Sequence, residues 1–174
     1  MPDRTRTIRL LTALGLAASA LALAACGGDD GGDGGSGDSP SKTEFIEQGD
    51  AICQEMYTQR DPLEVQAAKA AEQGDPDRAA DVFENAAEIT ENRMDELGEL
   101  PAPDGDDDTV DDIVSDGRDS AEAAKDAAEA IRREDQSALA EISNEGREAT
   151  VAFNKAAIDY GFLVCGRGAQ VTIG

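Results

Sequence analysis

Between Ser41 and Tyr160 no stretch of this chain alternates apolar and polar residues over the length of a strand, and its apolar positions recur at three- and four-residue intervals instead. That periodicity, with thirty alanines in the whole chain, restricts the fold to packed helices. Ser41-Lys42-Thr43-Glu44 has the form of a capping box, and Phe45, Ile46, Ile52, Cys53 and Met56 then share one face. The first helix is expected to end near Arg60, with Asp61-Pro62 restarting a short extra helix that runs to about Gln73. Asp75-Pro76 opens the next helix, which reaches Leu100 with Val82, Phe83, Ala86, Ile89 and Leu97 on its inner stripe. Pro101-Ala102-Pro103-Asp104-Gly105 interrupts it, and a third helix is expected from about Thr109 to Arg132. Asp135 caps the last helix, whose stripe is Leu139, Ile142, Gly146, Ala149, Phe153 and Ala157, and Gly161 stops it.

The expected fold is therefore all-α, an antiparallel four-helix bundle with a short extra helix, closed by one disulfide. Gly49, Gly117 and Gly146 each weaken a helix interior by roughly 1 kcal/mol relative to alanine, which close helix–helix approach would explain.

The N-terminus reads as an address. Arg4, Arg6 and Arg9 precede sixteen uncharged residues, Leu10 to Ala25, in the layout of a secretory signal peptide over residues 1–25. The following Leu23-Ala24-Ala25-Cys26-Gly27 resembles the lipobox of bacterial lipoproteins, in which the cysteine is lipidated and the chain is cut just before it. The resemblance implies that Cys26 carries a covalent lipid, fixing the protein to the outer, extracytoplasmic face of the cell membrane. Release by an ordinary signal peptidase and an uncleaved span are the alternatives, and sixteen apolar residues are short for a span of roughly 20. Residues 27–40 are Gly, Asp and Ser closed by Pro40, a disordered linker with a reach of roughly 20 Å. The helical domain occupies 41–166, and 167–174 form a C-terminal tail.

With Cys26 lipidated, Cys53 and Cys165 remain. An up-down-up-down bundle puts the start of its first helix beside the end of its last, so a structural disulfide is expected in an exported chain. Two buried thiols and a redox pair are the alternatives, the second lacking both Cys-x-x-Cys spacing and a positive setting. Phe45-Ile46-x-x-x-Asp50-Ala51-Ile52-Cys53, Gly74-Asp75, Leu100-Pro101-Ala102-Pro103 and Tyr160-Gly161-Phe162-x-Val164-Cys165-Gly166 together resemble a group of small actinobacterial lipoproteins of unassigned function. The resemblance implies a membrane-facing location and no activity.

Chemistry is mostly excluded by what is missing. The chain has no His, which removes imidazole-assisted nucleophiles and proton relays, and a formal charge of −23 opposes nucleic-acid binding. No phosphate loop, nucleophile elbow or cofactor fingerprint occurs, so no catalytic residue and no cofactor beyond the lipid are expected. Residues 104–112 hold six carboxylates. Asp104, Asp106, Asp108 and Asp112 copy positions 1, 3, 5 and 9 of an EF-hand loop, but Thr109 stands where Gly belongs and Ser115 where a bidentate Glu belongs. Helix capping by Asp108 and solvation account for the run, with a calcium site as the alternative.

The expected function is a non-catalytic, membrane-anchored envelope module that acts by contact with an unidentified envelope protein or as a structural component. A cation- or small-ligand-binding lipoprotein is the alternative. The first reading expects a closed bundle with no large pocket.

Overall fold

Helix boundaries follow the local chemistry of the caps. In a computed structural model of the chain, which describes residues 39–167, α1 runs Lys42–Gln73, α2 Pro76–Glu99, α3 Asp107–Arg132 and α4 Gln136–Tyr160. The expected signal peptide over 1–25, Cys26, the expected linker through residue 38 and residues 168–174 lie outside the described residues. At the start of α1 the Glu44 N–H donates to Ser41 Oγ at 3.3 Å and the Ser41 N–H donates to Glu44 Oε2 at 2.9 Å. The Ser41 hydroxyl, which donates to Glu44 Oε2 at 2.7 Å, and then the Ser41 N–H hold the Glu44 carboxyl below its ordinary pKa. Gly74 ends α1 at φ 63°, and Asp75, one residue later, accepts the Arg78 N–H at 3.1 Å to begin α2. Asp135 accepts the Ala138 N–H at 3.0 Å, and Gly161 stops α4 at φ 117°. Short connections make each helix antiparallel to its predecessor, giving the all-α four-helix bundle with a Cys53–Cys165 disulfide.

The short extra helix expected over 62–73 does not exist as a separate element. Pro62 sits inside α1, which continues unbroken for 32 residues. Proline forfeits the bond to the Thr58 carbonyl and in isolation costs about 3 kcal/mol. Pro62 faces solvent, so its ring meets no neighbouring helix, while Leu63 and Ala70 beyond it are buried. Continuing the helix keeps both on the face packed against α2, which a restart after Arg60 would rotate away.

α3 also begins two residues earlier than expected. Its N-cap is Asp106, not Asp108, and the Asp106 side chain makes no capping bond because it is turned to Tyr160.

Packing is sequential: α1 lies on α2, α2 on α3 and α3 on α4. No Cα of α1 comes within 8 Å of one in α4. The fourth seam of the bundle is open along the helices themselves. This explains the incomplete burial of the α4 stripe, in which Leu139, Ile142, Gly146 and Ala149 are only half-buried while Phe153 and Ala157 are buried. Among the described residues, no helix is long and apolar enough to cross a membrane.

The core gathers at the disulfide end, where Phe45, Met56, Met94, Leu97, Ile113 and Phe162 are almost fully buried. Close approach accounts for the helix-interior glycines. A Cβ on Gly49 would lie 2.5 Å from the Phe162 ring, one on Gly117 2.8 Å from Met94 Cγ, and one on Gly146 3.1 Å from Ala123 Cβ.

Candidate functional site

The open α1–α4 seam is closed at one end by residues 161–167 and left open below them, and the closure determines the shape of the opening. After Gly161 the chain turns back and lays Phe162, Val164 and Cys165 into the core. Cys165 is bonded to Cys53 with a Cα–Cα distance of 5.3 Å. Asp50, on α1, then receives three backbone donors. The Leu163 N–H reaches Oδ2 at 2.9 Å, and those of Val164 and Cys165 reach Oδ1 at 2.8 and 3.0 Å. A carboxylate accepting converging N–H groups makes charge-assisted bonds, which are roughly twice as strong as neutral ones. Asp50 and the disulfide therefore fasten the same segment from adjacent turns of α1. Sequence reasoning placed Asp50 in a motif but gave it no task. Its three-residue spacing from Cys53, on the same helix face, was the available signal.

A second latch lies beside the first. Tyr160 donates its hydroxyl to Asp106 at 2.8 Å, and its ring packs edge-on against Phe45 at 5.9 Å and tilted against Phe162 at 5.4 Å. Lys42 Nζ stands 3.9 Å above the Tyr160 ring and 3.9 Å from Asp106. Burial, then the bond to the Asp106 carboxylate, pushes the Tyr160 hydroxyl pKa far above its ordinary value.

Below the fastened segment, the gap between α1 and α4 becomes a cleft of about 590 Å³. A volume of that size is typical of small-molecule sites. Its apolar lining is Met56 from α1, Met94 from α2 and Phe153 from α4. Gly117 contributes the absence of a side chain, which is what lets Met94 reach across to α3. The polar lining starts with Thr90, a buried residue whose hydroxyl donates to the Ala86 carbonyl at 2.9 Å. Ser120 and Thr150 meet across the α3–α4 interface at 2.9 Å. Since Thr150 donates its one hydroxyl proton to the Gly146 carbonyl, Ser120 is the donor between them.

The mouth of the cleft is charged. α1 contributes Arg60, Asp61 and Glu64, and the returning segment contributes Arg167. Gly166 lets that segment pass close to α4, because a Cβ there would lie 2.6 Å from the Asn154 carbonyl oxygen.

Elsewhere three basic side chains of α3 pair with α2. Arg118, Lys125 and Arg132 recur every seven residues on α3 and meet Asp95, Glu91, and Asp81 with Glu84 on α2, at 2.5–2.9 Å. Arg132, exposed in the last turn of α3 as its place beside Arg133 suggests, is also an interhelical partner. Its heptad spacing from Lys125 was the overlooked signal. Arg60 and Arg167, like Lys69, Arg78 and Arg147, reach no carboxylate within ion-pair distance among the described residues.

Asp104, Asp106, Asp108 and Asp112 are not drawn around a common point. Asp106 faces Tyr160, Asp108 lies in the first turn of α3, and among the described residues no group of three or more acidic or Cys side chains is placed to hold a metal ion. Spending α3's cations on α2 leaves the α3–α4 groove lined by Asp119, Glu122, Asp126, Glu145 and Glu148. On the same helix, burial and then repulsion from Asp119 and Asp112 raise the Asp116 pKa. Comparison with known proteins yields no matching family model, no matching curated protein and no matching solved structure.

Proposed function

We infer that this protein is a non-catalytic lipoprotein of the cell envelope, held at the outer face of the membrane through a lipid on Cys26, and that its working part is the α1–α4 cleft, which binds a small ligand. The anchor rests on the charged start, the apolar run and the lipobox-like Leu23-Ala24-Ala25-Cys26. Two or more acyl chains suffice for stable attachment where one does not. The cleft is the observation that favours ligand binding over a purely structural or protein-contact role. Such a role calls for a closed bundle, whereas here the fourth seam is open over about 590 Å³ and carries apolar, hydroxyl and charged groups together.

The test is a thermal-shift screen of the full chain in detergent against small metabolites, repeated with Thr150→Trp, which places an indole in the cleft. Compounds that raise the melting temperature of the wild type and not of the filled variant support the reading. Absence of any stabilising compound, or equal stabilisation of both proteins, overturns it. Intact mass spectrometry tests the anchor: a diacylglycerol-sized increment on a chain beginning at Cys26 is expected, lost in Cys26→Ser.

A further inference from the structure

The charges at the mouth of the cleft specify more than a cavity does. The chain carries 38 acidic and 15 basic residues. Lys42, Arg93, Arg118, Lys125 and Arg132 pair with carboxylates of other segments, and of the five described cations that form no ion pair, Arg60, Lys69, Arg78, Arg147 and Arg167, two line the cleft: Arg60 and Arg167, brought to one rim from residues more than a hundred apart in sequence. Asp61 and Glu64 share that rim, and Glu64 is one helical turn from Arg60, the spacing at which an ion pair ordinarily closes. None forms at 4.0 Å or less. The rim therefore presents two cations and two anions that leave one another unsatisfied, above a floor of Met56, Met94 and Phe153.

We propose that the cleft takes a zwitterionic ligand of the amino-acid or short-peptide class, an inference that rests on the cleft being a binding site at all. The ligand carboxylate lies between Arg60 and Arg167, whose planar guanidinium groups suit a carboxylate in two-pronged geometry. The ligand ammonium faces Asp61 and Glu64, and the side chain enters over Met56, Met94 and Phe153. The half-buried Asn154 amide, which makes no side-chain hydrogen bond to the described residues, lies on the α4 wall where it can meet a peptide group. A ligand with a carboxylate alone would leave Asp61 and Glu64 beside a new negative charge, and one with an ammonium alone would do the same to the two arginines.

Four forms of one dipeptide separate these contributions. Isothermal titration of the full chain in detergent uses alanyl-phenylalanine, its N-acetyl derivative, its C-terminal amide, and the doubly capped neutral form. The free dipeptide is expected to bind, blocking either end to weaken it at least tenfold, and blocking both to abolish detectable heat. Arg60→Gln and Arg167→Gln should each weaken the free dipeptide about tenfold while leaving the C-terminal amide little changed, and Asp61→Asn with Glu64→Gln should mirror this for the amine. Arg147→Gln, on α4 outside the cleft, should change nothing, and thermal melts report that each variant is folded. Binding of the neutral form as tightly as the free dipeptide overturns the zwitterion assignment and leaves the cleft as a binding site. Heat from none of the four overturns the assignment as well, and the metabolite screen with Thr150→Trp then decides separately whether the cleft binds anything.

Discussion

The two ends of the bundle are built on different principles. At the disulfide end, Phe45, Tyr160 and Phe162 stack within about 6 Å of one another over Leu97, Met94 and Ile113, and the returning segment is pinned by Cys53 and Asp50. At the far end, burial falls to Ala70, Ala80, Ala87, Ala127, Ala128 and Ala130 with Leu63 and Val82, and Phe83 is 37% exposed. An open hollow of about 670 Å³ remains there between Phe83, Ile131 and Leu139. Helices packed through alanine approach closely but bury little, since each absent methylene forfeits about 0.8 kcal/mol. One end therefore supplies apolar free energy and covalent closure, and the other supplies length and charge. The ion pairs of Arg118, Lys125 and Arg132 line the α2–α3 seam, but exposed pairs contribute roughly 0–1 kcal/mol each. They fix the register of that seam more than its strength.

The largest expected effect comes from cutting the staple. Cys53→Ser with Cys165→Ser frees a loop whose ends are 112 residues apart, worth about 4–5 kcal/mol in the chain-entropy model. Urea unfolding should show that loss. Hydrogen exchange should place it at the disulfide end, with amides of 45–56 and 153–165 losing protection while those of 125–132 change little. Equal loss at both ends would mean that the bundle has no weaker half. A direct comparison of side chains sharpens the contrast. Phe162→Ala is expected to destabilise by about 3–4 kcal/mol, whereas Leu139→Ala, half-buried at the other end, should cost under about 1.5 kcal/mol. Similar costs for the two would show that the far end is packed as tightly as the near one.

Most of the bundle's layout was legible in the sequence because it is written in local chemistry. Ser41 with Glu44, Gly74 with Asp75, Asp135 and Gly161 each act within a few residues of themselves, and each does in the structure what its spacing implies. The pairing of Cys53 with Cys165 followed from antiparallel topology. What was not legible depends on which surface lies opposite. Pro62 carries the local mark of a helix break, and only the burial of Leu63 and Ala70 on α2 carries the helix past it. The α4 stripe has the right period at Leu139 and Ile142, yet period cannot reveal that α1 stands too far away to cover it. The cleft follows from that same distance and contradicts the closed bundle that four amphipathic helices suggest. Its rim could not be assembled in advance, since Arg60 and Arg167 meet only because the chain reverses after Gly161.

The smallest effect probes whether the dense end is closed to water, and it carries a definite pH signature. Tyr160→Phe removes a hydrogen bond to Asp106 and leaves that carboxylate to solvent and Lys42, a loss of about 1 kcal/mol near neutral pH. Above pH 10 that advantage shrinks. The folded protein holds the phenol protonated well past its ordinary value of 10.0, so the unfolded chain ionises first and gains free energy that the folded chain does not. The contribution of Tyr160 is therefore intact below about pH 10 and falls by about 1.4 kcal/mol for each further pH unit, while the Phe variant has no such loss. Urea midpoints of the two proteins, converted to free energies, should converge and cross near pH 11. Because every other ionisable group is common to both chains, only the difference between them is diagnostic. A gap that stays constant up to pH 11 would mean that Tyr160 ionises as freely in the fold as outside it, and that water reaches the aromatic cluster on which the contrast between the two ends depends.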